Sequence, residues 1–277
     1  MKSRKILLGI SIAASILLTA CHGDNRDYYD YDAPKAPQNV IAITGDSRID
    51  LTWNNNRESD LAGYNVYFSY NDFKFELIGS TEENYYVDFD AKNGDVYYYA
   101  VTAYDYDGNE SDLSNNTVVG IARPEGFNQA IFDYLKFPNS AGYSFAEFSV
   151  VPFDDYDSDF FFENYNGTYY LNVWEDTDIQ DMGSTVNIYD IVKAPYTGWV
   201  EKFPGDNIKY LEAKKGHTYV IWTKDNHFAK IRIKDILNQR MTFDWAYQLI
   251  EGETLLKNSK VPKSRTVKPT AVNIISR

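Results

Sequence analysis

Cysteine occurs once in this chain of 277 residues, at position 21, and histidine only three times. A lone thiol excludes any intramolecular disulfide. The patterns G-x-S-x-G, H-E-x-x-H and the P-loop are absent, so no recognisable nucleophile, metal-peptidase or phosphate-cradle motif is present. Positive charge is scarce as well: 27 Lys and Arg face 40 Asp and Glu, a net charge of −13. Nucleic acid is therefore not an expected partner, and anionic lipid heads repel the chain. No apolar run reaches the roughly 20 residues of a membrane span. Aromatic residues, by contrast, abound. The 24 Tyr, 16 Phe and 5 Trp are far too many for a disordered chain and supply a core that needs no covalent staples.

The apolar stretch from Ile6 to Leu18 follows Lys2, Arg4 and Lys5 and leads into "LTAC", Leu18 to Cys21. A short positive region, an apolar run too short to span a bilayer and then small residues is the order of a secretory signal peptide. "LTAC" resembles the lipobox of bacterial lipoproteins. That resemblance implies that residues 1–20 are removed as a signal peptide. It also implies that Cys21 carries diacylglycerol on its thiol and an acyl chain such as palmitate on its new amino terminus. Several acyl chains on one residue give lasting membrane attachment, where a single chain is marginal. Without Lys2, Arg4 and Lys5 the net charge goes from −13 to −16.

Residues 21–33 comprise the lipidated Cys21 and an acidic, Tyr-rich tether without apolar periodicity. Extended, His22 to Ala33 reaches about 40 Å at ~3.3–3.6 Å per residue. Acidic residues after the cysteine resemble the signal by which some bacterial lipoproteins reach the outer face of the outer membrane. His22 stands where an aspartate would mark inner-membrane retention. The expected location is the bacterial outer membrane, lipid-anchored, on its periplasmic or cell-surface face. A plain solvated spacer is an equal reading of the acidic tract.

The expected fold class is all-β, in two units. From 34 to 121, "APQNV" (Ala36 to Val40), "IDLTWN" (Ile49 to Asn54), "DLAGYNVYFS" (Asp60 to Ser69) and "YYYAVTAYDYDGNESDLS" (Tyr97 to Ser114) together resemble a fibronectin type III domain. The residues read the same way on their own. Ile49, Leu51 and Trp53 alternate with polar neighbours, so one face is buried. Tyr97, Tyr99, Val101 and Ala103 form a second period-two strand. The resemblance puts Trp53 between the sheets and Tyr97 at the tyrosine corner, its hydroxyl bonded back to backbone. "DYDGNES" reads as a hairpin with Gly108 and Asn109 tolerating positive φ. It also mimics the start of a calcium loop, but Glu110 and Asn116 stand at the glycine and glutamate positions.

Residues 122–250 read as a second antiparallel, sandwich-like β unit. "MTFDWAYQL" places Phe243, Trp245, Tyr247 and Leu249 on one face. "HTYVIWTKDNHFAKIRI" reads as two strands turning at Asp225-Asn226. Pairing Lys224 with His227 predicts Thr218, Val220 and Trp222 on one face with Ala229, Ile231 and Ile233. Further expected strands are Ser144 to Val151, Thr168 to Trp174 and Ser184 to Val192, with a short helix over "FNQAIFDYLKF". The acidic tract Phe153 to Asn164 reads as a solvated loop leading into a strand, and Glu175 to Gly183 as another acidic loop, rather than as calcium sites. The tail, 251–277, holds six basic and two acidic residues, and folds back on the acidic body or stays disordered.

The hairpin and final strand loosely resemble part of the haem-scavenging lipoproteins, over about 30 residues and without a binding motif. In the predicted register His217 and His227 lie on opposite faces and at opposite ends, so they do not share one iron. No cofactor and no metal is therefore expected. Three functions remain open: a non-catalytic binding, adhesion or structural lipoprotein with the first unit as spacer; a haem- or metal-capturing lipoprotein; and a small glycoside hydrolase using two carboxylates. The first is favoured, with a carbohydrate or protein ligand held by exposed rings. Trp199, in "APYTGWVEKF", is the expected contact residue, since Pro195 and Gly198 keep it out of a regular strand. Its alternative role is a loop anchor folded onto the sheet.

Overall fold

The computed structural model describes residues 30–256 and the backbone of Lys263–Ser264. The signal segment, Cys21, His22 and most of the tether and tail lie outside the described residues. The described part is all-β, with antiparallel sheets and two one-turn 3-10 segments.

The first unit packs β1 (Ile41–Gly45), β2 (Arg48–Thr52) and β5 (Tyr85–Asp88) as one sheet. Against it lies a second sheet in the order β4 (Glu76–Thr81), β3 (Leu61–Ser69), β6 (Val96–Asp105), β7 (Asn116–Ile121). This three-on-four sandwich is fibronectin type III-like. Ile49, Leu51, Tyr99, Val101 and Ala103 are fully buried between the sheets, as period-two alternation requires. Trp53 is 3% exposed and meets Tyr64 edge-on, centroids 5.2 Å apart. The Tyr97 hydroxyl accepts from the Lys92 backbone N–H at 2.9 Å, and burial pushes its pKa up to about 12. In the "DYDGN" hairpin Gly108 has φ +88, and the Asp105 carboxylate accepts from Asn109 backbone and side chain at 2.8 Å. Those donors occupy the carboxylate that a calcium loop would need.

The second unit has a front sheet in the order β10 (Ser149–Val151), β9 (Gly142–Ser144), β11 (Phe160–Tyr165), β12 (Thr168–Trp174), β14 (Ile208–Glu212). Its back sheet runs β13 (Asp178–Ser184), β15 (His217–Trp222), β16 (Phe228–Leu237), β17 (Arg240–Tyr247), β8 (Glu125–Phe132). Between them lies an aromatic layer. Tyr143 and Phe145 of the front stack against Phe243, Trp245 and Tyr247 of the back, with centroids 5.4–6.2 Å apart. Phe243, Trp245, Tyr247 and Leu249 all join this core, as their alternation predicts.

The outer face of the back sheet is covered too. The chain from β13 to β14 crosses it, so Ala194, Val220, Phe228 and Leu256 form a further buried cluster. Leu256 N–H donates to Val192 and Ala194 N–H to Thr254, so packing of the second unit continues to Leu256. Beyond it, the backbone of β18 (Lys263–Ser264) pairs with β7. Ala122, Arg123 and Pro124 link the two units in sequence, and their backbones bond to both sides. Gly94 donates to Ala122, Arg123 to Gly45, and Tyr247 to Pro124.

Several expectations are corrected. "FNQAIFDYLKF" is not a helix: its first half is β8, which pairs with β17 (Ile131 opposite Met241). An 11-residue helix is marginal by itself, and the open edge of β17 offers backbone bonds instead. Ser144 to Val151 is two short strands reversed at Phe148 (φ 52), not one. Ser184 to Val192 leaves the sheet at Ser184, where Asn187 and Asp190 form a capping box on a 3-10 turn. Glu175 to Gly183 is largely strand β13 rather than loop. The β15–β16 register is also one residue from the prediction: Trp222 pairs with Phe228 and Thr218 with Arg232. Asn226 at φ 65 makes a three-residue turn, so Tyr219 and Ile221 share the core face with Ala229, Ile231 and Ile233.

Replacing Trp53→Ala should cost the first unit about 3–5 kcal/mol, as deletion of a large core ring does. In the full chain this would be read as lost hydrogen-exchange protection of β3 and β6 amides. Unchanged protection there would show that Trp53 does not hold the two sheets together.

Candidate functional site

Trp199 lies half-buried in the covering segment. Its ring stacks near Phe228 at 6.3 Å and Trp222 at 5.9 Å, on the outer face of the back sheet. In that position its ring packs against the cluster of Val220 and Phe228 and remains partly exposed.

A larger array of rings occupies the outer face of the front sheet. Core-facing Phe160, Phe162, Leu171 and Val173 fix the parity, so Phe161, Glu163 and Tyr165 of β11 point outward. So do Tyr170, Asn172 and Trp174 of β12 and Tyr210 of β14. The registers align Phe161, Asn172 and Tyr210 in one row across three strands, about 10 Å at ~4.8 Å per step. Loop residues extend the array on both sides. Tyr134 and Phe153 sit 5.3 and 5.4 Å from Phe161, and Trp174 5.5 Å from it. On the far side Phe203 stacks on Tyr210 at 5.6 Å, and Tyr170 meets Tyr210 edge-on at 5.7 Å. Phe203 and Tyr165 are each 58% exposed and Tyr210 36%.

Asn172 stands at the centre of this array, fully buried. Its Nδ2 donates to Glu163 at 3.3 Å, while its Oδ1 has no donor among the described residues. Burial raises the Glu163 pKa, and the nearby Asp133 carboxylate adds to the rise. None of the outward positions on β11, β12 or β14 is Lys or Arg. The lysines nearby are engaged, Lys202 with Glu175 and Lys214 with Glu212. The site thus offers the exposed rings of Tyr165, Phe203 and Tyr210 beside a half-buried Glu163, with Asn172 and Phe161 buried beneath them at 0% and 2% exposure.

Other candidates are spoken for internally. In the acidic tract before β11, Asp155 accepts from Asp157 N–H, Asp157 pairs with Lys224, and Asp159 accepts from Phe145 N–H at 2.8 Å. No group of three or more metal-ligating side chains occurs among the described residues. The corrected register puts His217 and His227 on the same face rather than on opposite ones. His227 stands opposite Thr223, six residues from His217 along the strand, about 20 Å. His217 Nδ1 contacts Asp181 at 2.9 Å and His227 Nδ1 the Gln248 carbonyl at 3.1 Å. Distance, not parity, keeps them from sharing one iron. A cavity of about 1070 Å³ lies along β1 and β7, walled by Lys193, Ile250 and Glu253. The backbone pairing of Lys263–Ser264 with β7 adjoins it.

These features define the class: an all-β chain of two sandwiches, the first fibronectin type III-like, the second bearing an exposed aromatic face. No protein-family model matches it. An amylopullulanase of Thermoanaerobacterium saccharolyticum is 35% identical over 130 residues, 44% of this chain and 9% of that enzyme. A second, from Thermoanaerobacterium thermosulfurigenes, is 35% identical over 126 residues, again 44% of this chain and 6% of the enzyme. The chain therefore spans less than a tenth of the length of these relatives. Among solved structures, a fibronectin type III-like protein from Clostridium thermocellum is 24% identical, covering 34% of this chain and 97% of its own, with TM-score 0.29. A β-1,2-glucanase from Parabacteroides distasonis is 31% identical over 34% of this chain and 13% of its own, with TM-score 0.31.

Asp159 gives a test of the packing behind the front sheet. Burial pushes its pKa up from 3.8 to about 7. Between those values the folded chain holds a proton that the unfolded chain has lost, so this group's contribution to stability falls as pH rises through the window. The slope is at most about 1.4 kcal/mol per pH unit. Asp159→Asn keeps an acceptor for Phe145 N–H and carries no charge. Urea denaturation should find it more stable than the parent at pH 8 and level with it near pH 4. Parallel pH curves for the two proteins would show that Asp159 does not titrate in this range.

Proposed function

We propose that this chain is an exported bacterial lipoprotein with no catalytic role, anchored in the outer membrane through Cys21. The fibronectin type III-like unit serves as spacer, and the front sheet of the second unit holds the ligand. The observation that carries the binding role is the outward aromatic face centred on Asn172 and Glu163. Folded chains bury most large rings, and contiguous exposed ones mark contact surfaces. The anchor reading rests on the order of basic residues, apolar run, small residues and cysteine in residues 1–21. Absence of catalysis is supported by the internal engagement of the histidines and of the acidic tract. It is also supported by the relatives, which share with this chain less than a tenth of their length. A segment of that size in a large enzyme fits an accessory part.

Two measurements test this reading. Mass spectrometry of membrane fractions should find Cys21 as an acylated first residue, and Cys21→Ala should leave the chain unacylated and uncleaved there. A mature terminus elsewhere contradicts the anchor. Incubation with polysaccharides should release no new reducing ends; their appearance would make the protein an enzyme.

A further inference from the structure

We propose that the ligand of the front-sheet face is a neutral polysaccharide, lying across β11, β12 and β14 with its sugar rings against Phe203, Tyr210 and Trp174. This deepens the binding-protein reading above and rests on it. Three features of the face carry the assignment.

The first is its layout. A protein interface has an apolar centre inside a polar rim. Here the surface polar group is the half-buried Glu163, opposite Tyr170 and two residues from the exposed Tyr165, while Asn172 and Phe161 lie buried beneath. Asn172 has Phe161 and Tyr210 beside it on neighbouring strands and lies between Tyr170 and Trp174 on its own. A ligand suited to that layout carries apolar flat faces and, between them, hydroxyls that donate. A pyranose has both: axial C–H bonds make its faces apolar, and its equatorial hydroxyls donate outward. Glu163, half-exposed, is the acceptor within reach, and the Asn172 amide holds it in place.

The second is charge. The outward positions of the three strands hold Glu163 and Glu212 but no Lys or Arg, and the lysines at the rim are paired. A phosphate, sulfate or uronate would meet Glu163 and Glu212 there, with Lys202 and Lys214 already paired, in a chain at −13. A neutral ligand has no such penalty.

The third is extent and stiffness. Tyr170 to Trp174 spans about 13 Å along the strand at ~3.3 Å per residue, and Tyr210 lies one strand over, about 5 Å away at ~4.8 Å per step. Phe203, beyond Tyr210, lengthens the row. That suits a stretch of polymer rather than one small molecule. Rings stacked on a β-sheet are already ordered, so little side-chain entropy is lost when the ligand lands. Glu163 is a positioning and recognition group, not a catalytic one.

Affinity electrophoresis of the full mature chain tests the proposal, with gels containing in turn a soluble β-glucan, an α-glucan, a mannan, a xylan, a galactan, polygalacturonate and heparin. At least one neutral polymer should retard the protein, and the two acidic ones should not. Tyr210→Ala and Trp174→Ala should each weaken that retardation at least tenfold, and Glu163→Gln several-fold. Trp199→Ala, on the other face, should leave it unchanged. Melting temperatures within a few degrees of the parent would show that the variants fold. Retardation by no neutral polymer overturns the proposal, as does preference for an acidic one or full affinity in both ring variants. A peptide or protein ligand lost in the same two variants would overturn the glycan assignment while sparing the binding-protein reading. Release of reducing ends would do the reverse.

Discussion

The aromatic layer between the sheets of the second unit is the interaction on which the rest of the protein depends. Tyr143, Phe145 and Phe160 of the front sheet meet Phe243, Trp245 and Tyr247 of the back sheet at close-packed ring distances. Each ring buries a large area and tolerates few alternative orientations. Because strand side chains alternate, fixing these inward rings also fixes where Phe161, Tyr170, Asn172, Trp174 and Tyr210 point. The outer face is thus a by-product of the core.

The back sheet illustrates the contrast. Its outer face is covered by the chain between β13 and β14, and Trp199 belongs to that cover. Its polar residues are buried as well: Lys230, fully buried, donates to the Ile191 carbonyl at 2.7 Å. At the joint Arg123, 1% exposed, lies 3.7 Å from Glu125 with no hydrogen-bond partner for its guanidinium among the described residues, and the Glu125 carboxylate accepts from Tyr189 at 2.8 Å. A buried charge is costly without partners, and Lys230 has one where Arg123 has only the longer ion pair. The front sheet has no comparable cover over Tyr210, Phe203 or Tyr165. One face of the second unit is closed by its own chain, and the other is covered at Phe161 and Asn172 but exposed at Tyr165, Phe203 and Tyr210.

Much of this was legible in the sequence, and the gaps have physical causes. The first unit could be read because Ile49, Leu51 and Trp53 alternate cleanly with polar residues, and because Tyr97 and the "DYDGN" turn carry recognisable chemistry. The β15–β16 register failed by one residue. "DN" suggests a two-residue turn, whereas Asn226 adopts positive φ in a three-residue one, and a single slip exchanges every face. The helix expected over Phe127 to Phe137 lost to pairing with β17, a long-range demand that local pattern does not contain. The front face was missed for a different reason. "FFFENY" and "TYYLNVW" are aromatic at both parities, so alternation does not say which rings face out. The one visible hint is Asn172 between Tyr170 and Trp174, a polar residue on the parity opposite to Leu171 and Val173.

The most direct test of this account is hydroxyl-radical footprinting of the full chain, with and without the polysaccharide that retards it. Protection should concentrate at Tyr170, Trp174, Phe203 and Tyr210, with Trp199 and the exposed rings of the first unit, Phe73 and Phe89, unaltered. Protection at Trp199 and Trp222, or at the first unit instead of the front sheet, would contradict it.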